Sequence, residues 1–304
     1  MTGRRKASTA RARVLVRETQ SRSISRSGRY LGGVMTYAGA LLIVAIALFP
    51  FYWIIISSLK PAAEQLRIPP SWFPLHPTLD NYSRVWSMIP IARYMMNSLW
   101  IAVGTTGIAL AIAFPAGYAL SRFDFRGNLV LLTILLFSQM IPGIVTLVPF
   151  YFLTRSLGLH DSRTGLVLAY AAWSVPFATL MLRSYLKTAF PRDIEESALI
   201  DGCTRFGVLW RIAVPLSAPG IAATGAFAFL FSWNEYLWAS VIITNGDLKT
   251  LPLGLRDFTG QLGVNPYLGL WMTAAVLATL PVVIIFLWLQ RHMISGLASG
   301  AVKG

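Results

Sequence analysis

The chain has 304 residues, 55% of them hydrophobic and only 12% charged, with a formal net charge of +14. A soluble domain carries about 25% charged residues. Half that share, with long uncharged runs and a mean hydropathy of +0.60, excludes an ordinary soluble protein and points to an integral membrane protein. The lone cysteine, Cys203, excludes an internal disulfide, and His76, His160 and His292 lack the spacing of metal ligands.

Residues 1–29 hold nine Lys or Arg, one acid and many serines, without apolar periodicity. They are expected to form a disordered basic tail. A signal peptide is the rival reading, but the uncharged run from Tyr30 to Leu59 is far longer than a signal core of roughly 7–15 residues. A retained first span fits better. Further spans are expected at 94–121, 128–153, 163–187, 217–242 and 266–290, each near the roughly 20 residues that cross a bilayer. Arg183 and Lys187 end the fourth, where long stems snorkel to the interface. Pro115, Pro142, Pro149, Pro176 and Pro281 fall inside spans, so bent helices are expected.

Six spans put both termini on one side. The tail, the 122–127 loop, the 183–211 region and residues 292–304 with Arg291 hold 18 Lys or Arg, against 8 in the opposite loops 59–93, 154–163 and 243–265. The richer side is the cytoplasmic one by the positive-inside rule. The basicity is therefore an orientation signal, which removes most of the case for nucleic acid as a partner; membrane lipid is the natural one. Loop 59–93 has too many prolines for one regular element, but Asp80-Asn81-Tyr82 opens a short amphipathic helix with Tyr82, Val85, Trp86 and Ile89 on one face. Loop 243–265, with Asn245-Gly246-Asp247 and Gly254, Gly260 and Gly263, is expected to be a flexible outward loop.

The stretch 191–220 is the most polar part of the chain's interior. Pro191 blocks continuation of the fourth span. Asp193 stands three residues before Glu196, a capping-box arrangement that predicts a helix from Ile194 to Asp201. Glu195 and Glu196 fall in its first turn, where the helix dipole favours acids. Gly202 supplies the positive φ of a C′ cap. Phe206, Leu209, Trp210 and Ala213 then recur at helical spacing and predict one apolar face of a second short helix, ended by Pro215. Two readings are open: a loop that packs two spans together, or a dock for a soluble partner. Connections between bundled helices usually take about 2–8 residues; two capped helices exceed that need, and aromatics beside a glycine corner suit a protein anchor.

The run Glu196-Ser197-Ala198, then Gly202, then Ile212-Ala213-Val214-Pro215 resembles the EAA motif of ABC-importer permeases, with Ser197 for the first Ala and Val214 for Leu. Asp201-Gly202, Asn97-Ser98, Ala119-Leu120-Ser121-Arg122-Phe123, Trp233-Asn234-Glu235-Tyr236 and the ending Gly300-Ala301-Val302-Lys303-Gly304 are similar to MalG-type carbohydrate permeases. The resemblance covers all but residues 1–29. It implies an all-α, polytopic, six-span type I importer permease domain over 30–291, with cytoplasmic coupling helices at 191–216 and a cytoplasmic carboxyl tail at 292–304. It implies inner-membrane placement and four partners: a second homologous permease, a dimer of ATP-binding ATPase subunits, an external solute-binding protein and a sugar substrate. ATP and Mg would be held by the ATPases, with no cofactor in this chain.

By position, the resemblance makes Glu196, Ser197, Ala198, Asp201, Gly202, Phe206, Ile212 and Pro215 ATPase-coupling residues. The loop holding Asn245, Gly246, Leu253 and Gly254 occupies the place that reaches into the binding protein. Glu235, Asn234 and Gln139 are candidates for the solute path, with interfacial anchoring or helix packing as their alternative. No phosphate loop and no catalytic constellation is legible. The expectation is a non-catalytic permease subunit of a sugar importer. The alternatives are an importer of a glycerol phosphoester in the same family and, outside it, an ion-coupled transporter or a membrane enzyme.

Overall fold

The computed structural model describes residues 26–258 and 267–300, and every regular element among them is helical. The chain divides into two compact units, residues 1–54 and 55–304. The first holds most of α1 (Arg26–Ser58), in which Pro50 is accommodated without ending the helix. The helix therefore begins inside the stretch expected to be tail, whose residues 1–25 lie outside the described residues. Leu41, Leu42, Ile43 and Val44 are consecutive and all exposed, as on a helix apolar all round that lipid surrounds.

In the second unit the helices are α2 (Ala62–Gln65), α3 (Asp80–Met88), α4 (Ile91–Arg122), α5 (Asn128–Met140), α6 (Gly143–Ser156) and α7 (Arg163–Ala189). Then come α8 (Arg192–Ile200), α9 (Arg205–Val208), a π-turn at Leu209–Ala213, α10 (Val214–Leu216), α11 (Ala218–Asn234), α12 (Leu237–Ile242), α13 (Leu251–Leu255) and α14 (Leu268–Gly300). Among the described residues four helices are long and apolar enough to cross a membrane, or up to six spans if each of two bent pairs counts as one. The α5–α6 pair bends by 100°. Pro142 lacks the N–H that would continue α5, and Ile141 before it is extended, with ψ 120°. Pro115, Pro149, Pro176 and Pro281 stay inside their helices.

Three expectations change. The fifth span is not one helix over 217–242: α11 stops at Asn234 and α12 restarts at Leu237. No proline marks this break; the Glu235 carboxylate makes it by accepting the N–H groups of Trp238 and Ala239. The 243–265 loop, where described, is structured: short helical turns carry buried Leu251, Leu253 and Phe258 into the bundle. The helix α14 continues through the expected carboxyl tail as far as Gly300, because no proline interrupts residues 291–300. Residues 301–304 lie outside the described residues.

The bundle core is built on α4 against α7. Gly117 allows the closest approach: a Cβ there would stand 3.0 Å from the Arg183 backbone nitrogen and 3.1 Å from the Thr179 carbonyl. Small residues at such a crossing let backbones pack where lipid removes the hydrophobic drive for helix association. One apolar cluster joins Val85 and Ile91 to Phe229, Trp233 and Ala274. A second joins Tyr170 and Leu166 to Trp238 and Ile242. The third joins Tyr118, Leu182 and Phe190 to Ala198, Val208 and Ala213, seating the 191–216 stretch on the ends of α4 and α7.

Candidate functional site

The capping box does not form. Pro191, extended at φ −60° and ψ 148°, is the N-cap and makes no side-chain cap bond. The helix α8 therefore starts two residues earlier than expected, and Asp193 lies within its first turn. Its C-terminus is as expected: Gly202 has φ +87°, its N–H donates to Leu199 O at 3.1 Å, and the Cys203 N–H donates to Ala198 O at 3.0 Å. Those two bonds make a complete Schellman cap. Thr204 then opens α9, its Oγ1 accepting from Gly207 N at 3.1 Å.

The second short helix departs from its expected form twice. Pro215 does not end it; the π-turn at Leu209–Ala213 precedes it, with the Val214 N–H donating to Leu209 O. That wider turn accommodates a proline whose missing N–H and ring disrupt an α-helical turn. The chain bends only at Ser217, by 77° into α11. The apolar face also splits. Leu209 and Ala213 pack inward with Val208 and, in part, Ile212. Phe206 and Trp210 point outward, 71% and 48% exposed, with ring centroids 6.1 Å apart. Ile200, 85% exposed, flanks the same corner. Glu196, Ser197, Asp201, Gly202 and Pro215 are exposed, and Ala198 is buried.

The residue that anchors this platform was not singled out in the sequence. Glu195 is buried; its Oε1 accepts from Tyr118 Oη at 2.6 Å. Its Oε2 lies 3.1 Å from Arg122 Nε, with side chains 8% and 5% exposed respectively. This last contact is an ion pair rather than an aligned hydrogen bond. The Arg122 guanidinium also lies 4.6 Å from the Phe190 ring centroid and donates through Nη2 to the carbonyls of Phe190 and Leu186. Tyr118 and Arg122 stand four residues apart on one face of α4. That spacing was the legible signal; the partner 73 residues further on from Arg122 was not. The result is a fixed joint between α8 and the end of α4, a helix that the 191–216 stretch does not adjoin in sequence.

At the opposite end of the bundle, Glu235 accepts from Tyr170 Oη at 2.5 Å and from the backbone of α12. Its oxygens are thus engaged in capping and helix packing. Asn234 is exposed and bonds within its own helix to Leu230 O. Gln139 is half-buried, and no hydrogen bond joins it to Glu235 or Asn234 among the described residues. The structure therefore does not assemble the three into one constellation by direct contact. Leu253 and Gly254 are buried, Gly254 beneath the Tyr94 ring, so of the four candidates on that loop Asn245 and Gly246 are the exposed ones.

Asn97 and Ser98 hold this loop. Asn97 Nδ2 donates to the carbonyls of Asp247 and Lys249, both at 2.9 Å. Its Oδ1 accepts from Arg163 Nε at 2.9 Å, and Ser98 Oγ accepts from Leu251 N at 2.7 Å. Asp161 Oδ1 accepts from the N–H groups of Thr244 and Asn245, each at 2.9 Å, and these bonds hold its carboxyl below the usual range. The Ser71 hydroxyl, donating at 2.6 Å, likewise lowers the Glu64 carboxyl. Among the described residues no group of three or more His, Cys, Asp or Glu side chains stands together as a metal site.

Residues 109–298 match the family described as binding-protein-dependent transport system inner membrane component. The chain belongs to this family. It is 36% identical over 287 residues to the sulfoquinovosyl glycerol transport system permease protein SmoH of Agrobacterium fabrum, covering 94% of this chain and 99% of that one. It is 34% identical to the diacetylchitobiose uptake system permease protein DasC of Streptomyces coelicolor, with 90% and 98% covered. It is also 34% identical to the trehalose/maltose transport system permease protein MalG of Thermococcus litoralis, with 89% and 97% covered. A crystal structure of a bacterial ABC transporter involved in the import of the acidic polysaccharide alginate shares the fold, at a TM-score of 0.75 and 24% identity, covering 88% of this chain and 98% of that one. The protein is thus a multi-pass inner-membrane permease, the non-catalytic component of a binding-protein-dependent ABC importer.

Proposed function

We propose that this permease imports a sugar or oligosaccharide, with residues 191–216 docking onto an ATPase dimer and a second homologous permease completing the pore. The observation that carries the docking role is the outward pair Phe206–Trp210 beside Ile200 and the Gly202 corner, on a platform that the buried Glu195 joint holds rigid. Exposed aromatics on a preorganised scaffold are what an interface anchor requires. Supporting the sugar assignment, the relatives described above carry permease names for sulfoquinovosyl glycerol, diacetylchitobiose and trehalose/maltose. In this reading both termini and the 191–216 stretch are cytoplasmic, and the Asn245-Gly246 turn faces the binding protein.

The platform is continuous with α7 and with α9–α11 through the chain and is joined to α4 through Glu195. Movement of the dock would reach three helices at once, which suits a rigid-body switch between inward- and outward-open states. The test is ATP hydrolysis by the complex reconstituted in liposomes with its binding protein. A cognate sugar on that protein should stimulate hydrolysis and drive uptake. Uptake driven by a proton or sodium gradient without ATP would refute the assignment.

A further inference from the structure

A cavity of about 830 Å³ opens where the ends of α4 and α7 meet the start of α5. Its walls carry Arg122, Arg126, Arg183, Lys187 and Arg192 against a single carboxylate, Asp124. Three of the cations are engaged: Arg122 with Glu195, Arg183 Nε with the Leu120 carbonyl at 3.1 Å, and Arg192 with Asp124 at 3.7 Å. Arg126 and Lys187 are exposed and form no ion pair among the described residues. Ser121 and Asn128 also line it, Leu120, Phe125, Leu129 and Leu132 supply an apolar side, and α5 buries none of its residues against the protein. A cationic recess thus opens directly onto an apolar helix face at the end of a membrane span.

We propose that this recess binds the headgroup of an anionic phospholipid, its phosphate among Arg126, Lys187 and the free N–H groups of Arg183, and its acyl chains along Leu129 and Leu132. Charge selects the ligand: the cavity carries an excess of cations with few carboxylates to satisfy them, and basic pockets between spans at a bilayer surface suit anionic headgroups. The adjoining apolar wall selects a lipid over a free phosphate, because a soluble anion leaves that wall uncovered. The same recess borders Arg122, so bound lipid would brace the Glu195 joint. The inference rests on the helices being membrane spans and not on the docking role of residues 191–216.

The test is native mass spectrometry of the complex purified from membranes and exchanged into micelles holding phosphatidylglycerol, phosphatidylcholine or phosphatidylethanolamine. Phosphatidylglycerol should be retained on this subunit in preference to the two zwitterionic lipids. Each neutralised cation should lower retention roughly fivefold, so R126Q/K187Q should fall about 25-fold while R126K/K187R keeps it. Both positions are exposed, so assembly of the variant complex serves as the folding control. Equal retention of the three lipids, or phosphatidylglycerol binding indifferent to R126Q/K187Q, would overturn the proposal. So would displacement of the lipid by millimolar inorganic phosphate or glycerol 3-phosphate, which would mark a soluble-anion site. The readout needs neither ATP nor sugar, so a failure of coupling cannot be mistaken for a failure of lipid binding.

Discussion

Replacing Glu195 with alanine tests the joint most directly. The change removes the acceptor of the Tyr118 hydroxyl and the carboxylate that pairs with the buried Arg122. Breaking one side of a buried pair costs about 3–5 kcal/mol. Arg122 keeps two backbone carbonyls and the Phe190 ring, which places the loss near the lower limit, about 3 kcal/mol, or roughly a hundredfold in the seated population of α8. The neighbouring Glu196→Ala, at an exposed position, should cost less than about 0.5 kcal/mol. The assay is paired: sugar uptake into proteoliposomes, and ATP hydrolysis with and without sugar-loaded binding protein. Glu195→Ala should lose most uptake and most of the stimulation, while Glu196→Ala retains fold stability. Because Arg122 is the group left stranded, E195A/R122A should fall short of the summed single losses by about 1–3 kcal/mol in a double-mutant cycle. Additive losses, or an E195A subunit as stable and as active as E196A, would refute the joint.

Further outcomes follow from the same geometry. Gly202→Ala meets nothing within 4 Å, so it should cost only the positive-φ strain, about 1–2 kcal/mol by thermal melting, with uptake largely kept. Gly202→Trp should abolish uptake by obstructing the dock, and wild-type uptake with it would remove the docking role. Asn97→Ala strands two carbonyls and Arg163 Nε, so protease cleavage near residues 245–250 should accelerate by one to two orders of magnitude, for a loss of about 1–3 kcal/mol; unchanged cleavage would refute the clasp. The Asp161 and Glu64 carboxyls are lowered in the folded state from ordinary values of 3.8 and 4.5. Their stabilisation is therefore present above those values and lost as pH falls through the depressed ones. Melting in the range near pH 5–8 should not reflect these two groups, and D161N should soften the loss below pH 4. A membrane-impermeant thiol reagent should reach Cys203, half-buried and free, from the cytoplasmic face alone; labelling from outside in intact cells would invert the proposed topology.

Much of the fold was legible because lipid imposes simple demands on sequence. A helix must satisfy its own backbone in the bilayer, so runs of apolar residues announced α1, α4, α7 and α14. Pro142 announced the bend after α5. The break at Glu235 was silent, since it depends on a carboxylate curling onto two backbone N–H groups, and a glutamate in a sequence carries no sign of which way it turns. The Gly202 corner was readable from one residue type. The start of α8 was misplaced because Asp193–Glu196 makes a plausible cap in isolation, whereas Pro191 sets the helix start. Phe206 and Trp210 were grouped with Leu209 and Ala213 by ideal periodicity, and the π-turn separated their faces.

By itself the sequence determined the helical class, the apolar runs of the candidate spans, the glycine corner and the long gapped motif, all set by local composition, backbone preference and order along the chain. Only the tertiary structure decided which acid of the Glu195-Glu196 pair is buried and which is open to a partner, and that α8 is tied to α4. Those facts depend on Tyr118 and Arg122 arriving beside Glu195 from a distant part of the chain. A buried charge takes its role from whatever packing brings to it, and that meeting is a property of three dimensions.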